Sequence, residues 1–291
     1  CNSDFVTVYS RTEESGGRFA AENGIKTVYT DINEFAKGDF EVQLDENVPI
    51  EEMRVMAQNF NLMVRELNRT EILRSDFIVN VSHEFKTPLS SIEGYVTLLQ
   101  NKNLSEEKRD EYTQKILTNT HRLSSLTGNI LLLSRLENQE IEIKKERFSL
   151  DEQLRQTVLM FQDAWMEKEM ELDVELDATE YEGNKELLSH VWQNIFGNAI
   201  KFTQPKGNIG VYLVKNTDRI EVSIKDDGIG MDAETQKRIY EKFYQGEHSH
   251  SSSGNGLGMS LVKRIVDIHG GTVSVFSEQG KGSEFKVSFP I

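Results

Sequence analysis

The stretch Asn80–Leu89, NVSHEFKTPL, places one histidine among polar and charged neighbours. Apolar residues at spacings of three and four predict a helix here, and the turn of about 100° per residue directs His83 away from the apolar side. An exposed histidine on a stiff helix can offer a ring nitrogen to an incoming reagent. Glu84 could hydrogen-bond one ring nitrogen and make the other more nucleophilic. Thr87, one turn along the same face, could position a water with its hydroxyl.

Pro88 follows directly and lacks an N–H, so we expect the helix to bend where its ring meets the carbonyl of Glu84. A lone surface histidine usually has no chemical role, and it is the polar cluster as a whole that favours one for His83. No second histidine or cysteine lies at ligand spacing, which disfavours a metal site at this position.

A second polar group lies within His190–Thr203, HVWQNIFGNAIKFT. Asn194 and Asn198 are four residues apart and share one face of a helix, and Lys201 lies nearly one turn further. Amide oxygens can coordinate Mg²⁺, and a lysine can neutralise phosphate. A solvated helix face would also tolerate these residues. Because asparagine is a poor helix former, two of them in one helix favour a binding role.

Two glycine-rich segments follow. Asp226–Met231, DDGIGM, comes directly after an alternating strand pattern, so its first carboxylate could accept a hydrogen bond from an exocyclic amine. Its glycines would let the backbone approach a flat ligand, although a turn alone could have this sequence. Gly254–Met259, GNGLGM, precedes the apolar helix Ser260–Ile268, and a helix N-terminus presents N–H groups to phosphate. The Gly/Ser-rich segment before it is typical of a mobile lid.

The polar groups must be positioned by elements of two kinds. Up to about Lys145 the apolar period is helical, and it predicts a hairpin of two long helices broken at NKNLSEEKRD, with Ser105 and two glutamates starting the second helix. Such regular apolar seams favour dimerisation into a four-helix bundle. The seam residues are Ile78, Val81, Phe85, Leu89, Ile92, Val96 and Leu99, then Tyr112, Ile116, Leu123, Leu126, Ile130 and Leu133.

Upstream of the hairpin the pattern is weaker. Two short helical stripes flank an extended connector; they comprise Ile25, Val28, Ile32 and Phe35, then Met53, Met56, Phe60, Met63 and Leu67. A parallel four-helix coiled coil of two chains and an ordinary helical hairpin both fit this pattern. The polar residues Thr70 and Arg74 interrupt the seam before the hairpin.

After about Lys145, helical stretches alternate with strand-like runs, which predicts an α/β sandwich with helices on one face of a mixed sheet. The predicted helices are Leu150–Lys168 and Asn184–Phe202, and the predicted strands are Ile209–Val214, Arg219–Lys225, Gly271–Phe276 and Ser283–Phe289.

The composition limits the function classes. The chain has 291 residues and a net charge of -15, which disfavours nucleic acid as a partner. The single Cys1 cannot form an internal disulfide, which fits a reducing compartment. No apolar run approaches the roughly 20 residues that span a bilayer, and there is no signal-peptide pattern. We expect these residues to be soluble and without membrane contact, and the start at Cys1 without an initiator methionine allows for a longer, membrane-anchored parent protein.

The polar motifs, taken in order, resemble the cytoplasmic part of a two-component sensor histidine kinase. His83–Leu89, HEFKTPL, is similar to the phosphoacceptor box and Asn194–Lys201 to the N box. Asp226–Gly230 resembles the first glycine box, Glu241–Tyr244 the F box and Gly254–Gly258 the second glycine box. The tail GKGSEFKVSFP is similar to the last glycine box.

The resemblance implies a multidomain fold in which all-α coiled-coil or four-helix-bundle dimerisation modules precede an α/β sandwich, the Bergerat ATP-binding fold. The segments would be a poorly patterned stretch at 1–24, a HAMP-like signal-relay module at 25–70, a dimerisation and histidine phosphotransfer hairpin at 71–140, and a catalytic ATP-binding domain at 146–291.

The resemblance also implies an activity. A homodimeric protein-histidine kinase would use ATP and Mg²⁺ to phosphorylate His83, pass the phosphoryl group to an aspartate of a response-regulator receiver domain, and dephosphorylate that regulator. Glu84 would be the general base, Thr87 would aid dephosphorylation, and Asn198 would hold the metal. Asp226 would bind the adenine amine and Lys201 the phosphates. Phe202 and Leu257 would line the nucleotide pocket, by position only. The other ATP-binding positions by motif match are Asn194, Gly228, Gly230, Lys242, Phe243, Gly254, Gly256, Gly258 and Ser283.

The sequence departs from the family pattern at Gln245, where many members have an arginine that meets the γ-phosphate; Lys242 or another basic group could serve instead. Ser283 stands where threonine is usual and keeps the hydroxyl. Two other functions fit parts of the sequence. A silent dimeric scaffold would keep nucleotide binding without phosphorylation, and a chaperone- or topoisomerase-type ATPase would lack the phosphoacceptor helix that this chain has.

Overall fold

The computed structural model describes residues 7–9, 27–29, 51–138, 144–246 and 255–291. The chain divides into two compact units, Cys1–Ser82 and His83–Ile291. Among the described helices, none is both long and apolar enough to cross a membrane.

The first unit contains a pair of short parallel strands, β1 (Thr7–Tyr9) and β2 (Thr27–Tyr29), in which Val8 lies opposite Val28. The helical prediction around Val28 is therefore wrong at this position. Both strands have the sequence TVY, and β-branched and aromatic residues favour a pleated backbone that a matching strand can pair with. The rest of that predicted helix, like the extended connector after it, lies outside the described residues.

Helix α1 (Glu51–Leu99) runs for 49 residues. It contains the second predicted stripe and the positions of Thr70 and Arg74, so the sequence was right about the helical state and wrong in indicating two separate helices. Pro88 lies inside the helix and is buried, and the predicted bend at this residue stays a prediction.

In the second unit, the C-terminal part of α1 forms a hairpin with α2 (Glu106–Glu137). The predicted helix start is confirmed, since the Ser105 hydroxyl accepts a hydrogen bond from the Lys108 N–H at 3.4 Å and two glutamates occupy the first turn. Across the hairpin the rings of Tyr95 and Tyr112 lie 5.5 Å apart between centroids.

The remaining chain forms an α/β sandwich, as predicted. Its elements are β3 (Glu146–Ser149), α3 (Leu150–Met160), α4 (Gln162–Glu167), β4 (Glu171–Leu176), β5 (Glu180–Gly183), α5 (Lys185–Phe202), β6 (Asn208–Lys215), β7 (Arg219–Asp226), α6 (Ala233–Arg238), α7 (Gly258–Ile268), β8 (Thr272–Glu278) and β9 (Gly282–Pro290). The five-stranded sheet has the order β4-β6-β7-β9-β8, with β4 and β6 parallel and the other neighbours antiparallel, and a separate antiparallel pair joins β3 to β5.

The core of the sandwich follows from the alternation of apolar residues. In β7 the side chains of Ile220, Val222 and Ile224 are buried, whereas the residues between them are not fully covered. Helix α5 supplies Trp192 and Phe196 to the same core. Four predicted strands are confirmed. The strands β3, β4 and β5 and the short helix α6 were missed, because they are brief and rich in charged residues.

Lys168 joins the helical layer to the end of α5. The predicted helix Leu150–Lys168 is interrupted at Phe161, and Lys168 follows α4. Its ammonium donates to the carbonyl oxygens of Ile200 at 2.6 Å and Thr203 at 2.9 Å. The last carbonyls of a helix have no partner within the helix, so this lysine satisfies them and fixes the end of α5.

We predict that Lys168→Met lowers the free energy of unfolding of the α/β sandwich by about 1–3 kcal/mol, because buried carbonyls lose a charged donor. Denaturant unfolding followed by tryptophan fluorescence measures this, since Trp165 and Trp192 both lie in the sandwich. The matched control is Lys206→Met, since the side chain of Lys206 is 76% exposed and its ammonium lies 3.5 Å from the Glu169 carboxylate. Equal midpoints for the two variants would contradict the prediction.

Candidate functional site

A cavity of about 990 Å³ lies between the hairpin helix α2, the polar face of α5, the segment after β7, α6 and the start of α7. Most of the predicted ATP-binding residues line this cavity, and they come from four separate parts of the sequence. They are Asn194, Asn198, Lys201, Phe202, Asp226, Gly230, Gly256, Gly258 and Ser283.

Four other predicted residues that the structure describes do not line the cavity. Leu257 is fully buried in the core, so the expectation that it lines the pocket is wrong; it precedes an apolar helix that packs inward. Gly228 is buried behind Asp226. The Lys242 ammonium forms an ion pair with Glu137 of α2 at 2.7 Å. The backbone N–H of Phe243 donates to the carbonyl of Gly256, which itself lines the cavity, at 2.9 Å.

Gly254 lies outside the described residues, and so does the predicted Gly/Ser-rich lid except for its first residue, Gly246, and its last two, Asn255 and Gly256.

Asp226 is the last residue of β7 and is buried. Its Oδ1 accepts the backbone N–H groups of Gly228 at 2.9 Å and Ser283 at 3.2 Å. Burial raises the pKa of this carboxyl to about 6, against the lowering effect of the two N–H donors. Because both donors reach the same oxygen, Oδ2 is the atom that can face a ligand.

The amide-bearing face of α5 forms another wall of the cavity. The side-chain N–H of Asn194 donates to the His190 carbonyl at 2.7 Å, which leaves its Oδ1 directed at Gly258. A Cβ at Gly258 would collide with that oxygen, so any other residue there would displace the Asn194 amide. Asn198, one turn on, lines the cavity. Oxygen atoms of amides are ligands that Mg²⁺ accepts, and this wall therefore fits the ion.

Lys201 brings positive charge to the same wall. Its ammonium lies 4.7 Å from the centre of the Phe202 ring. The pKa of Lys201 is lowered, first by burial and then by the positive charge of Arg122. An anion in the cavity would relieve both effects, which suits a phosphate-binding position.

Sequence reasoning missed two arginines that line the cavity. Arg122 belongs to α2, and Arg238 to α6, where its guanidinium lies 4.3 Å from the centre of the Tyr244 ring. Arg122 had no local signal, because it reaches the cavity only through packing between helices distant in sequence. Arg238 precedes the F-box-like segment and could have been considered with it.

His83 is exposed on α1 and is not among the residues that line the cavity. The carboxylate of Glu84 pairs with the guanidinium of Arg122 at 3.1 Å. The Thr87 hydroxyl donates to the His83 carbonyl at 3.3 Å. The phosphoacceptor-like cluster and the cavity are therefore linked by one arginine, which contacts Glu84 and also lines the cavity wall.

The end of α2 is fixed on the α/β sandwich. The Arg264 guanidinium, on α7, donates twice to the Leu136 carbonyl, at 2.8 and 3.2 Å. Among the described residues no group of three or more histidine, cysteine, aspartate or glutamate side chains is arranged to hold a metal ion.

We predict a pH dependence of stability from Asp226. Its pKa is about 6 when folded and near 3.8 when unfolded, so the folded state binds the proton more tightly and stability falls as pH rises from about 4 to 6. Asp226→Asn keeps an Oδ1 acceptor and removes the charge. Between pH 4 and pH 6 the free energy of unfolding of the variant should rise by about 3 kcal/mol relative to that of the wild type. Denaturant unfolding at several pH values measures this. The same pH dependence of stability in both proteins would rule the prediction out.

Two family matches agree with this arrangement. Residues 73–139 match the His Kinase A (phospho-acceptor) domain. Residues 183–291 match the family described as histidine kinase-, DNA gyrase B-, and HSP90-like ATPase. The ATPase match alone would also allow a gyrase- or chaperone-type protein, and the phosphoacceptor match on the preceding hairpin decides against that alternative.

Relatives and solved structures agree as well. The chain is 34% identical over 239 residues to the heme sensor protein HssS of Staphylococcus saprophyticus subsp. saprophyticus, covering 82% of this chain and 51% of that protein. It thus spans about half the length of the curated relatives it matches.

The structure of full-length ShkA in complex with AMPPNP is 29% identical, with a TM-score of 0.56 over 74% of this chain and 45% of that one. Histidine kinase ThkA in complex with response regulator protein TrrA has a TM-score of 0.60 over 77% of this chain and 63% of that one, and at 22% identity it supports the fold alone. With both domains present in order on one chain, this protein belongs to the sensor histidine kinases.

Proposed function

We propose that this chain uses ATP to phosphorylate His83 and then passes the phosphoryl group to an aspartate of a response regulator. One observation carries the proposal: the cavity that suits a nucleotide has a wall made by the hairpin helix α2, and that helix is paired through Arg122 with the residue next to His83. The cavity for the phosphoryl donor and the part of the helix that carries the acceptor histidine are thereby linked within one compact unit.

In the proposed reaction a ring nitrogen of His83 attacks the γ-phosphorus of ATP. The bond between that phosphorus and the β–γ bridging oxygen breaks, an N–P bond forms, and ADP leaves. The ring proton passes to the carboxylate of Glu84, the proposed general base. An exposed His83 suits this role, because the same ring must also be reached by the receiver domain of a regulator.

The ATP contacts follow from the cavity wall. We assign Oδ2 of Asp226 to the adenine amine, since Oδ1 is occupied by backbone N–H groups. Lys201 lies where it can neutralise the phosphates, and the N-terminal turn of α7 from Gly258 presents backbone N–H groups to them. Lys242 is the weakest of the predicted contacts, since its ammonium pairs with Glu137.

Asn198, with the oxygen of Asn194 beside it, is proposed to hold Mg²⁺. When bound, the ion would neutralise charge on the phosphate chain. The support is the donor set of this wall, in which amide oxygens from one helix face border the cavity next to a lysine.

The proposed partners are a second copy of this chain and a receiver domain. Apolar side chains of the hairpin are about half exposed, including Leu89 at 50% and Leu117 at 48%, which favours burial in a four-helix bundle. Thr87 is proposed to aid dephosphorylation of the regulator. That the parent protein is anchored in a membrane, with this portion in the cytoplasm, stays a proposal that rests on the family resemblance.

Gln245 favours one alternative. It lines the cavity and is neutral where many members have arginine, so a chain that binds nucleotide without transferring phosphate is the second candidate. Nucleotide binding without any histidine phosphorylation would support that scaffold function.

We predict that incubation with Mg-ATP labelled at the γ-phosphate gives an acid-labile phosphoryl group on the protein. His83→Gln should abolish the label. His121, also exposed and bordering the cavity, is the competing acceptor, so His121→Gln should keep labelling. Label that survives in His83→Gln and disappears in His121→Gln would reassign the acceptor.

We also predict that adenine nucleotide binding weakens at low pH. The amine requires an ionised Asp226, whose pKa is about 6, so the dissociation constant of ADP at pH 5 should be roughly ten times that at pH 8. Titration calorimetry measures this, with Asp226→Asn as the control: it should bind weakly at both pH values. A pH dependence that persists in the variant would refute the assignment.

A further inference from the structure

Three lysine or arginine side chains line the cavity among the described residues: Arg122, Lys201 and Arg238. Arg238 pairs with Glu241 at 3.0 Å and Glu234 at 3.6 Å, so carboxylates on its own side of the cavity already balance it. Lys201 belongs to the amide-bearing face of α5. Arg122 differs from both, because it comes from the phosphoacceptor hairpin.

The ion pair of Arg122 with Glu84 is partly buried. The atoms Nη2 and Oε2 lie 3.1 Å apart, and the side chains are 30% and 23% exposed. Such a pair is screened less than a surface pair, and it turns the Glu84 carboxylate toward α2. Since Glu84 adjoins His83, the position of this carboxylate depends on what else Arg122 contacts.

Arg122 also lies close enough to Lys201 for the two charges to interact, since its positive charge contributes to the lowered pKa of the lysine. Two like charges that border one cavity favour an anion between them. The terminal phosphate of a nucleotide is the anion that suits this place. Gln245, on the same cavity, offers no charge for it.

Given the proposed phosphorylation of His83, we propose that Arg122 is shared between Glu84 and the terminal phosphate of ATP. When the γ-phosphate enters, the guanidinium turns to it and releases the Glu84 carboxylate toward the His83 ring. ADP lacks that phosphate, so with ADP bound the Arg122–Glu84 pair persists. Arg122 thus binds the phosphoryl group and positions the base for it.

The exchange of partners at Arg122 does not change the bonds and protons of the proposed phosphoryl transfer. Arg122 exchanges one anionic partner for another and neither gains nor loses a proton. The freed Glu84 accepts the ring proton as the N–P bond forms and the bond to the β–γ bridging oxygen breaks. Once ADP remains, Arg122 returns to its carboxylate partner.

The first test compares the affinities of Arg122→Gln for AMPPNP, which mimics ATP without transferring phosphate, and for ADP. We expect the variant to bind AMPPNP about tenfold more weakly than the wild type and ADP with little change, a difference that matches one lost charged contact. Unchanged ADP affinity also shows that the variant is folded. An equal loss for both nucleotides, or no loss, would overturn the inference.

The second test leaves Arg122 in place. Glu84→Gln removes the competing charge, so it should tighten AMPPNP binding by roughly threefold and leave ADP binding as it is. If the ion pair only stabilised the hairpin, this substitution would weaken AMPPNP binding or leave it unaltered, and either result contradicts the inference. If Arg122→Gln does not fold, the Glu84→Gln measurement tests the inference by itself.

The control is Arg109→Gln, an exposed arginine near the start of the same helix, which should match the wild type in both affinities. Labelling of His83 is measured in parallel. If the wild type is not labelled, the proposed function fails, and the affinity ratios still decide whether Arg122 contacts the phosphate. If the wild type is labelled and the ratio of AMPPNP to ADP affinity is the same in both variants as in the wild type, only the role of Arg122 is refuted.

Discussion

The last turn of α2 is held on α7 by Arg264, which donates two hydrogen bonds to the Leu136 carbonyl. A carbonyl near a helix C-terminus has no partner within its own helix and carries partial negative charge, so a guanidinium is a strong partner for it. The ion pair of Lys242 with Glu137 adds to this attachment. Because of it, a helix of the phosphoacceptor hairpin becomes a wall of the nucleotide cavity.

The cavity is lined by charged groups of both signs. Asp226 contributes a buried carboxylate, and Arg122 and Lys201 contribute positive charge from two different helices. Under the proposed function the adenine amine contacts Asp226 and the terminal phosphate contacts these two cations. One of them, Arg122, belongs to the hairpin that carries His83.

Much of this arrangement could be predicted from local patterns. The spacing of Asn194 and Asn198 gave the amide face of α5, and the alternation before Asp226 gave the strand that ends at the cavity. Sequence reasoning failed where long-range packing decides. Leu257 follows its glycine motif yet is buried, because the apolar side of α7 packs inward, and Val28 lies in a strand paired with a distant TVY segment.

By itself, the sequence determined the type of each long element, the amide and carboxylate groups that suit a nucleotide, and the exposure of His83, since helical phase and alternation are local properties. Only the tertiary structure decided that Arg122 contacts Glu84 and also borders the cavity. The physical reason is that this contact depends on how the helices pack, and the spacing of residues along one helix does not contain that information.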